Sequence, residues 1–378
     1  MTRAPAAALV AVGMLWGGFA SVVPDIKAAV GASDGEFGLA LLMSAVGGMI
    51  AMLLAPRIGR ALGHLAMPLI GGALCLAFLY PTFAGDVVTL GVALFAMGAT
   101  VALLDITANV EISAREVKMK THLMGICHAM FSFAFAAAAY GAGLARQAGL
   151  GPDEIFPVLA LISIGIVALT ISPRAQIVTT KEHETAAGRT APWGAIILTG
   201  IILFAGFIGE NATEAWSALH IERTLGAEPG KGSLGPATLG LVMGVGRLVG
   251  HSVAERLGHA RLIFWSAALG VIGALIIAAA QSPFVVLIGV SVVALGMAVI
   301  VPSANSILGA HVSEAQRSHA LSRAWMVGIT GFFIGPAMMG GIAELFGLRM
   351  SFVAVALIVA MILPAIGMLG RRAGVHVH

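Results

Sequence analysis

Three stretches of this chain set titratable side chains among apolar residues. Asp105 stands in VALLDITANV with Asn109 four residues on, and His128 opens HAMFS with Phe131 and Ser132 behind it. Glu210, Asn211 and Glu214 fall together in GENATEAW. At helical spacing Asp105 shares a face with Asn109, His128 with Phe131 and Ser132, and Glu210 with Glu214. A carboxylate within a membrane-spanning segment is costly unless it meets water or a partner, so each such group marks a polar path. A carboxyl–imidazole pair takes up and releases protons near neutral pH. Proton transfer by Asp105, His128 and Glu210 is the chemistry expected, the alternative being a structural cluster of Asp105, Asn109 and His128. Glu214 is expected to reach outer water. Arg247, in VMGVGRLVG, suits either an anionic solute group or a carboxylate held across the bundle. Trp16 and Trp325 offer rings on which a solute can stack, whereas Trp216 reads as an interfacial belt residue. Trp16, Asn109, Phe131, Ser132, Asn211, Arg247, Asn305 and Trp325 make up the expected binding set.

The elements that must position these residues are membrane helices. Hydrophobic residues make up 59% of the chain and charged residues 10%, with a mean hydropathy of +0.98, outside the soluble range. Twelve apolar runs, at 6–29, 35–54, 64–84, 87–110, 121–146, 153–173, 194–217, 234–254, 261–280, 283–307, 319–345 and 350–370, each approach the roughly 20 residues that cross a bilayer as helix. Counted along spans four and five, Asp105 and His128 lie equally far from the loop between them, hence at one depth. Pro24 and Pro302 are expected to bend spans one and ten. With the N-terminus inside, Lys27, Arg146, Arg223, Lys231 and Arg349 fall in outer loops. The other sixteen of the 21 Lys and Arg residues then lie at the inner side, which puts both termini in the cytoplasm.

Other classes are poorly served. The first apolar run is too long for a cleaved leader and precedes eleven more. Cys75 and Cys127 lie inside spans and read as packing residues. There is no nucleotide-binding loop with its Lys, no HExxH and no paired-Cys pattern, so neither cofactor nor metal is expected and an enzyme is not indicated. The pI of about 9.1 reports topology; no basic stripe with aromatics suggests nucleic acid.

The polar stretch 174–192 divides six spans from six, giving 1–173, a linker and 193–378. The halves echo each other at an offset near 200. Ala55-Pro-Arg57-Ile-Gly59-Arg60 parallels Ala254-Glu-Arg256-Leu-Gly258-His259, Asn109 parallels Asn305, and spans five and eleven share Gly143/Gly341 and Gly149/Gly347. Such order argues for a duplicated six-helix unit.

On these residues the chain resembles the major facilitator superfamily over its whole length, with RxGR after span two as that family's gating loop. The resemblance implies an all-α fold of twelve transmembrane helices in two pseudo-symmetric bundles, with Arg57, Gly59, Arg60, Arg256 and Gly258 in the loops. Pro56 replaces the acid that normally precedes the first Arg. DITANVEISARE, HAMFS and GENATEAWSALHIERTLGA look like the bacterial YbjJ-like subgroup, with Ala215 where that subgroup tends to carry Asp. The run Asp105-x-x-Ala-Asn109 also resembles the E-x-x-A-N of fucose–proton symporters. The expected protein is a secondary transporter of the bacterial inner membrane, monomeric and proton-coupled, moving a small polar or amphipathic solute by alternating access. A proton-driven drug or metabolite efflux pump, or a passive channel-like protein, is the alternative.

Overall fold

The computed structural model describes residues 3–121, 123–171 and 192–372. Every regular element among them is helical, as long apolar runs require when lipid offers the backbone no hydrogen-bond partners. In chain order they are α1 (Arg3–Ala29), α2 (Asp34–Leu62), α3 (Ala66–Ala77), α4 (Val87–Met119), α5 (Met124–Gln147), α6 (Pro152–Ala168) and α7 (Trp193–Leu219). They continue as α8 (Leu234–Leu257), α9 (His259–Ala279), α10 (Pro283–Met297), α11 (Ile300–His311), α12 (Glu314–Phe346), α13 (Leu348–Ala360) and α14 (Ile362–Arg372).

Ten runs among the described residues are long and apolar enough to cross a membrane. One of these, Asp34–Phe83, holds 50 residues, more than twice what one crossing needs. A sharp joint at Gly63, whose φ of 61° lies in the left-handed region, divides it into two crossings. The 17 residues of α6 add a short one, about 26 Å at 1.5 Å per residue. The architecture is therefore the expected all-α one of twelve membrane helices.

Several boundaries differ from expectation, each for a visible reason. α2 does not stop before the RxGR stretch. It runs through Pro56 to Leu62, so Arg57, Gly59 and Arg60 sit on its last turns rather than in a loop. Arg60 Nε donates to the Pro56 carbonyl at 3.2 Å, a side-chain tie across the end of the helix. α8 likewise extends to Leu257, putting Arg256 on a helix and leaving Gly258, at φ 78°, as the joint to α9. Span ten breaks at Ala298 and Val299, just ahead of Pro302, where proline's missing N–H and its ring interrupt the ladder. α1, by contrast, continues unbroken past Pro24. The 174–192 linker lies outside the described residues except for its last residue. Side-chain caps start the helices at one end: Ser33 and Glu36 form a reciprocal capping box at α2. At α4 the Thr89 amide binds Asp86 and holds its carboxyl below the usual range.

The described helices fall into two compact units. One contains α1–α6 together with Glu214–Gly244; the other contains α7 up to Thr213 and the helices from Val245 onward. Within the first, α1 and α5 touch backbone to backbone, because a Cβ on Gly13 or Gly17 would run into the carbonyls of Phe131 and Phe135. Without a hydrophobic drive between helices in lipid, such close approach is what holds them. It also fixes the height of Trp16 against the HAMFS segment. Cys75 and Cys127 are free and buried among these helices.

The Gly13/Gly17 seam predicts that Gly17→Leu wedges α1 from α5 and costs at least about 1–3 kcal/mol of stability. Gly141→Leu, on α5 but with open space at its Cβ position, is expected to melt like the native protein. Thermal unfolding of both variants in detergent checks the contrast.

Candidate functional site

The first candidate site lies where α4 faces α5. Asp105 and Asn109 stand one turn apart on α4, each half-buried, and His128 reaches them from α5. Asn109 Nδ2 donates to Asp105 Oδ2 at 2.9 Å, and Asn109 Oδ1 lies 3.1 Å from His128 Nε2. The common depth read from the sequence is thus realised, with the amide of Asn109 inserted between carboxylate and imidazole. That insertion has a chemical consequence. With its NH2 turned to the carboxylate, the amide presents only its carbonyl oxygen to the ring, so Nε2 must carry a hydrogen and any further proton on His128 enters at Nδ1. Ser132 is buried and donates to the His128 carbonyl at 3.0 Å, while Phe131 stacks on Phe135 with centroids 6.4 Å apart. Trp16 is half-buried, stacked on Phe19 at 5.4 Å and edge-on to Phe78 at 5.9 Å.

The second unit carries a related arrangement. Trp325 Nε1 on α12 donates to Asn305 Oδ1 on α11 at 3.1 Å. In both units an Asn carbonyl accepts a ring N–H from the following span. In the first the ring titrates and a carboxylate stands one turn away; in the second it is an indole, packed on Phe207 with centroids 5.4 Å apart. Asn305 also lines a cleft of about 450 Å3 that runs past Ser306, Gly309 and Ala310 to Arg317.

Deeper on α7, Glu210 meets Arg247 of α8: Nη2 donates to Oε1 at 2.9 Å, with side chains 24% and 18% exposed. Asn211 and Glu214 are half-buried on the same part of α7, whereas Thr213 between them is buried. Trp216 is not a belt residue. It is 0% exposed, packed edge-on to Phe37 at 5.8 Å, and its indole N–H meets no hydrogen-bond acceptor among the described residues.

A charged network at the α1–α2 and α5–α6 turns goes beyond the sequence reading, in which Lys27, Arg146 and Arg223 stand in loops. Arg146 sits on the last turn of α5 with its side chain 1% exposed. All five of its N–H groups are used. Nε and Nη2 reach Asp25 at 2.5 and 2.7 Å, Nη1 and Nη2 reach Glu222 at 2.6 and 2.9 Å, and Nη1 also reaches the Ser21 carbonyl at 2.9 Å. Glu222 Oε1 accepts in addition from the amides of Gly230 and Gly232, both at 3.0 Å. Beside this triad lies a second of opposite sign, in which Asp34 binds Lys27 at 3.1 Å and Arg223 with both guanidinium ends. Glu222 and Arg223 are neighbours on one π-helical turn, His220–Thr224. The available signal was three acids, Asp25, Asp34 and Glu222, grouped at the same span ends as three bases. Among the described residues no three His, Cys, Asp or Glu side chains gather as metal ligands would.

The sequence model of the Major Facilitator Superfamily matches residues 6–265 and again 198–375. The chain belongs to that superfamily and is a multi-pass membrane transporter, not an enzyme. An uncharacterised MFS-type transporter of Yersinia pestis is 27% identical over 341 residues, covering 90% of this chain and 88% of the relative. Membrane protein MosC of Rhizobium meliloti is 28% identical over 353 residues, covering 92% and 86%. Among solved structures, a mutant of the nucleoside transporter NupG superposes with a TM-score of 0.74 at 13% identity, over 98% of this chain and 100% of that one. A bacterial homolog to the human lysosomal transporter Spinster gives 0.69 at 15%, over 98% and 96%. At such identities the structures speak for the fold alone.

Removing the centre of the buried triad strands two carboxylates. Arg146→Met is expected to cost about 3–5 kcal/mol, as loss of one buried partner does, seen as a large fall in melting temperature. Lys231→Met, which removes only the exposed pair with Glu228, is expected to leave the melt unchanged.

Proposed function

We propose that this transporter is proton-coupled, moving a small polar or amphipathic organic solute across the bacterial inner membrane by alternating access. The single observation that carries the reading is the Asp105–Asn109–His128 chain, two titratable groups joined through one amide inside apolar helices. A carboxylate kept at that depth is expensive and is explained by a task. Asp105 and His128 hold the coupling proton, with Glu210 contributing from the second half. Trp16, Asn109, Phe131, Ser132, Asn211, Arg247, Asn305 and Trp325 form the solute's surroundings. Asn305 and Trp325 repeat the first half's geometry without a titratable ring, which suits contact with solute rather than proton.

The working frame is two six-helix halves, 1–173 and 193–378, joined by a cytoplasmic linker, with both termini inside and the protein acting as a monomer without nucleic acid. The Lys and Arg asymmetry supports that orientation, and the two placements of the superfamily match, at 6–265 and 198–375, support the duplication. The RxGR residues Arg57, Gly59 and Arg60, with Arg256 and Gly258, act at the inner ends of the spans. The DITANVEISARE, HAMFS and GENATEAW stretches support kinship with the YbjJ-like subgroup.

Two measurements test this. Asp105→Asn keeps shape and hydrogen-bonding capacity but cannot titrate, so gradient-driven accumulation is expected to vanish while solute counterflow survives. Full accumulation by this variant in proteoliposomes would reduce Asp105 to a structural role. Reporter tags at the N-terminus, within 174–192 and at the C-terminus are expected to read as cytoplasmic, and an external linker tag would reverse the orientation.

A further inference from the structure

The cleft between α11 and α12 is lined by polar groups that are partly spent and partly left over. Its volume of about 450 Å3 is within the range of small-molecule sites. Arg317 Nε donates to the Gly309 carbonyl at 3.2 Å, one of the last carbonyls of α11, which have no acceptor role within the helix. That contact closes the helix end, and a lysine would serve it as well. It does not use Nη1 or Nη2, and among the described residues the guanidinium makes no other hydrogen bond or ion pair. Asn305 is spent at its oxygen: Oδ1 accepts the Trp325 indole N–H at 3.1 Å, and Nδ2 has no partner among the described residues. The Ser306 hydroxyl donates to the Pro302 carbonyl at 2.9 Å and so keeps lone pairs to offer. The side-chain groups left over at this cleft are therefore N–H donors, paired on one guanidinium edge, with a single hydroxyl acceptor.

Resting on the transporter reading above, we propose that this cleft is an inner-side station for the solute, and that the solute is an organic anion whose carboxylate or phosphate meets Arg317 and the Asn305 amide. With Nε committed to Gly309, the Nη1–Nη2 edge is the one that remains for a two-oxygen contact, the geometry that carboxylates and phosphates match. A neutral apolar solute would leave every one of these donors empty. Leu321, which also lines the cleft, and Trp325 follow Arg317 at i+4 and i+8 along α12, about 6 Å per step. An apolar or flat portion of the same molecule therefore runs from Arg317 past Leu321 toward the indole that Asn305 fixes. Asn305 and Arg317 stand at the inner ends of spans ten and eleven in the orientation that the Lys and Arg asymmetry supports.

The charge balance of the stretch favours an anion. Over 305–325, Arg317 and Arg323 stand against the single acid Glu314, which leaves a net charge of +1 with His311 and His319 neutral. The second arginine has its own place, with the Arg323 guanidinium carbon 4.7 Å from the centre of the Trp193 ring. His311 is likewise engaged, its Nδ1 donating to the Ile307 carbonyl at 2.7 Å. Arg317 is thus the cation that the cleft itself presents.

The test uses the purified full-length protein in detergent with three matched probes, mandelate against mandelamide, gluconate against glucose, and glycerol 3-phosphate against glycerol. At least one anion is expected to raise the melting temperature where its neutral partner does not. Arg317→Gln is expected to lower that anion's affinity about tenfold to a hundredfold, the loss of a charge-assisted contact. Arg317→Lys keeps the charge and a donor for Gly309 but not the paired edge, and is expected to fall between the two. Asn305→Asp still accepts the indole N–H but turns a carboxylate oxygen toward the anion, and is expected to abolish binding. Arg323→Gln removes an equal charge six residues along the chain and is expected to leave the affinity unchanged. Lipid headgroups carry the same phosphate chemistry, so the protein is also melted in nanodiscs of phosphatidylglycerol and of phosphatidylcholine. Stabilisation by phosphatidylglycerol that Arg317→Gln loses, with no soluble anion bound, assigns the cleft to lipid and overturns the proposal. So do binding of none of the three anions, equal binding of their neutral partners, or an affinity that Arg317→Lys and Asn305→Asp leave unmoved. Should Arg317→Gln fail to fold, those two variants decide. All of these are read without a gradient, so proton coupling through Asp105, which the accumulation assay reads, stands or falls separately.

Discussion

A polar group between the ends of these helices has no water of its own to turn to, and the rest of the structure follows from that constraint. Backbone groups satisfy themselves by forming helix, and helices approach closely through glycine, as α1 and α5 do at Gly13 and Gly17. Ionisable side chains follow the same rule. Arg146 spends five donors on four acceptor oxygens and one carbonyl, and Asn109 spends its two ends on Asp105 and His128. The Glu210–Arg247 pair obeys it less completely, keeping partial access.

How much of this was legible in the sequence divides along the same line. Span number and the shared depth of Asp105 and His128 follow from run length and helical rise, which are local properties. Two things were not readable in that way. The course of α2 through Pro56 depended on exposed helix tolerating a proline, where the end of the apolar run at residue 54 and the family resemblance suggested a loop. The burial of Trp216 against Phe37, and the partners of Arg146 at sequence separations of 121 and 76, depended on which helices meet, and charge position alone placed those residues at an interface with water. Asn109 was named as a neighbour of Asp105, yet its place between carboxylate and imidazole required the side-chain geometry.

On the proposed function, the paired Asn–ring contacts divide labour between the two halves. An Asn carbonyl meets a ring nitrogen of the following span in each case, and the ring's identity sets the chemistry. Imidazole near a carboxylate suits a proton; indole beside Phe207 suits flat apolar surface.

The π-helical turn His220–Thr224 places Glu222 and Arg223 side by side, each committed to a triad of opposite sign. A slip of that turn by one residue one way would bring Arg223 to Arg146 and the neutral Thr224 to Asp34; the other way it would bring Glu222 to Asp34 and the neutral Ile221 to Arg146. In either direction one triad meets like charge while the other loses its partner, so the two triads together hold the turn to one register.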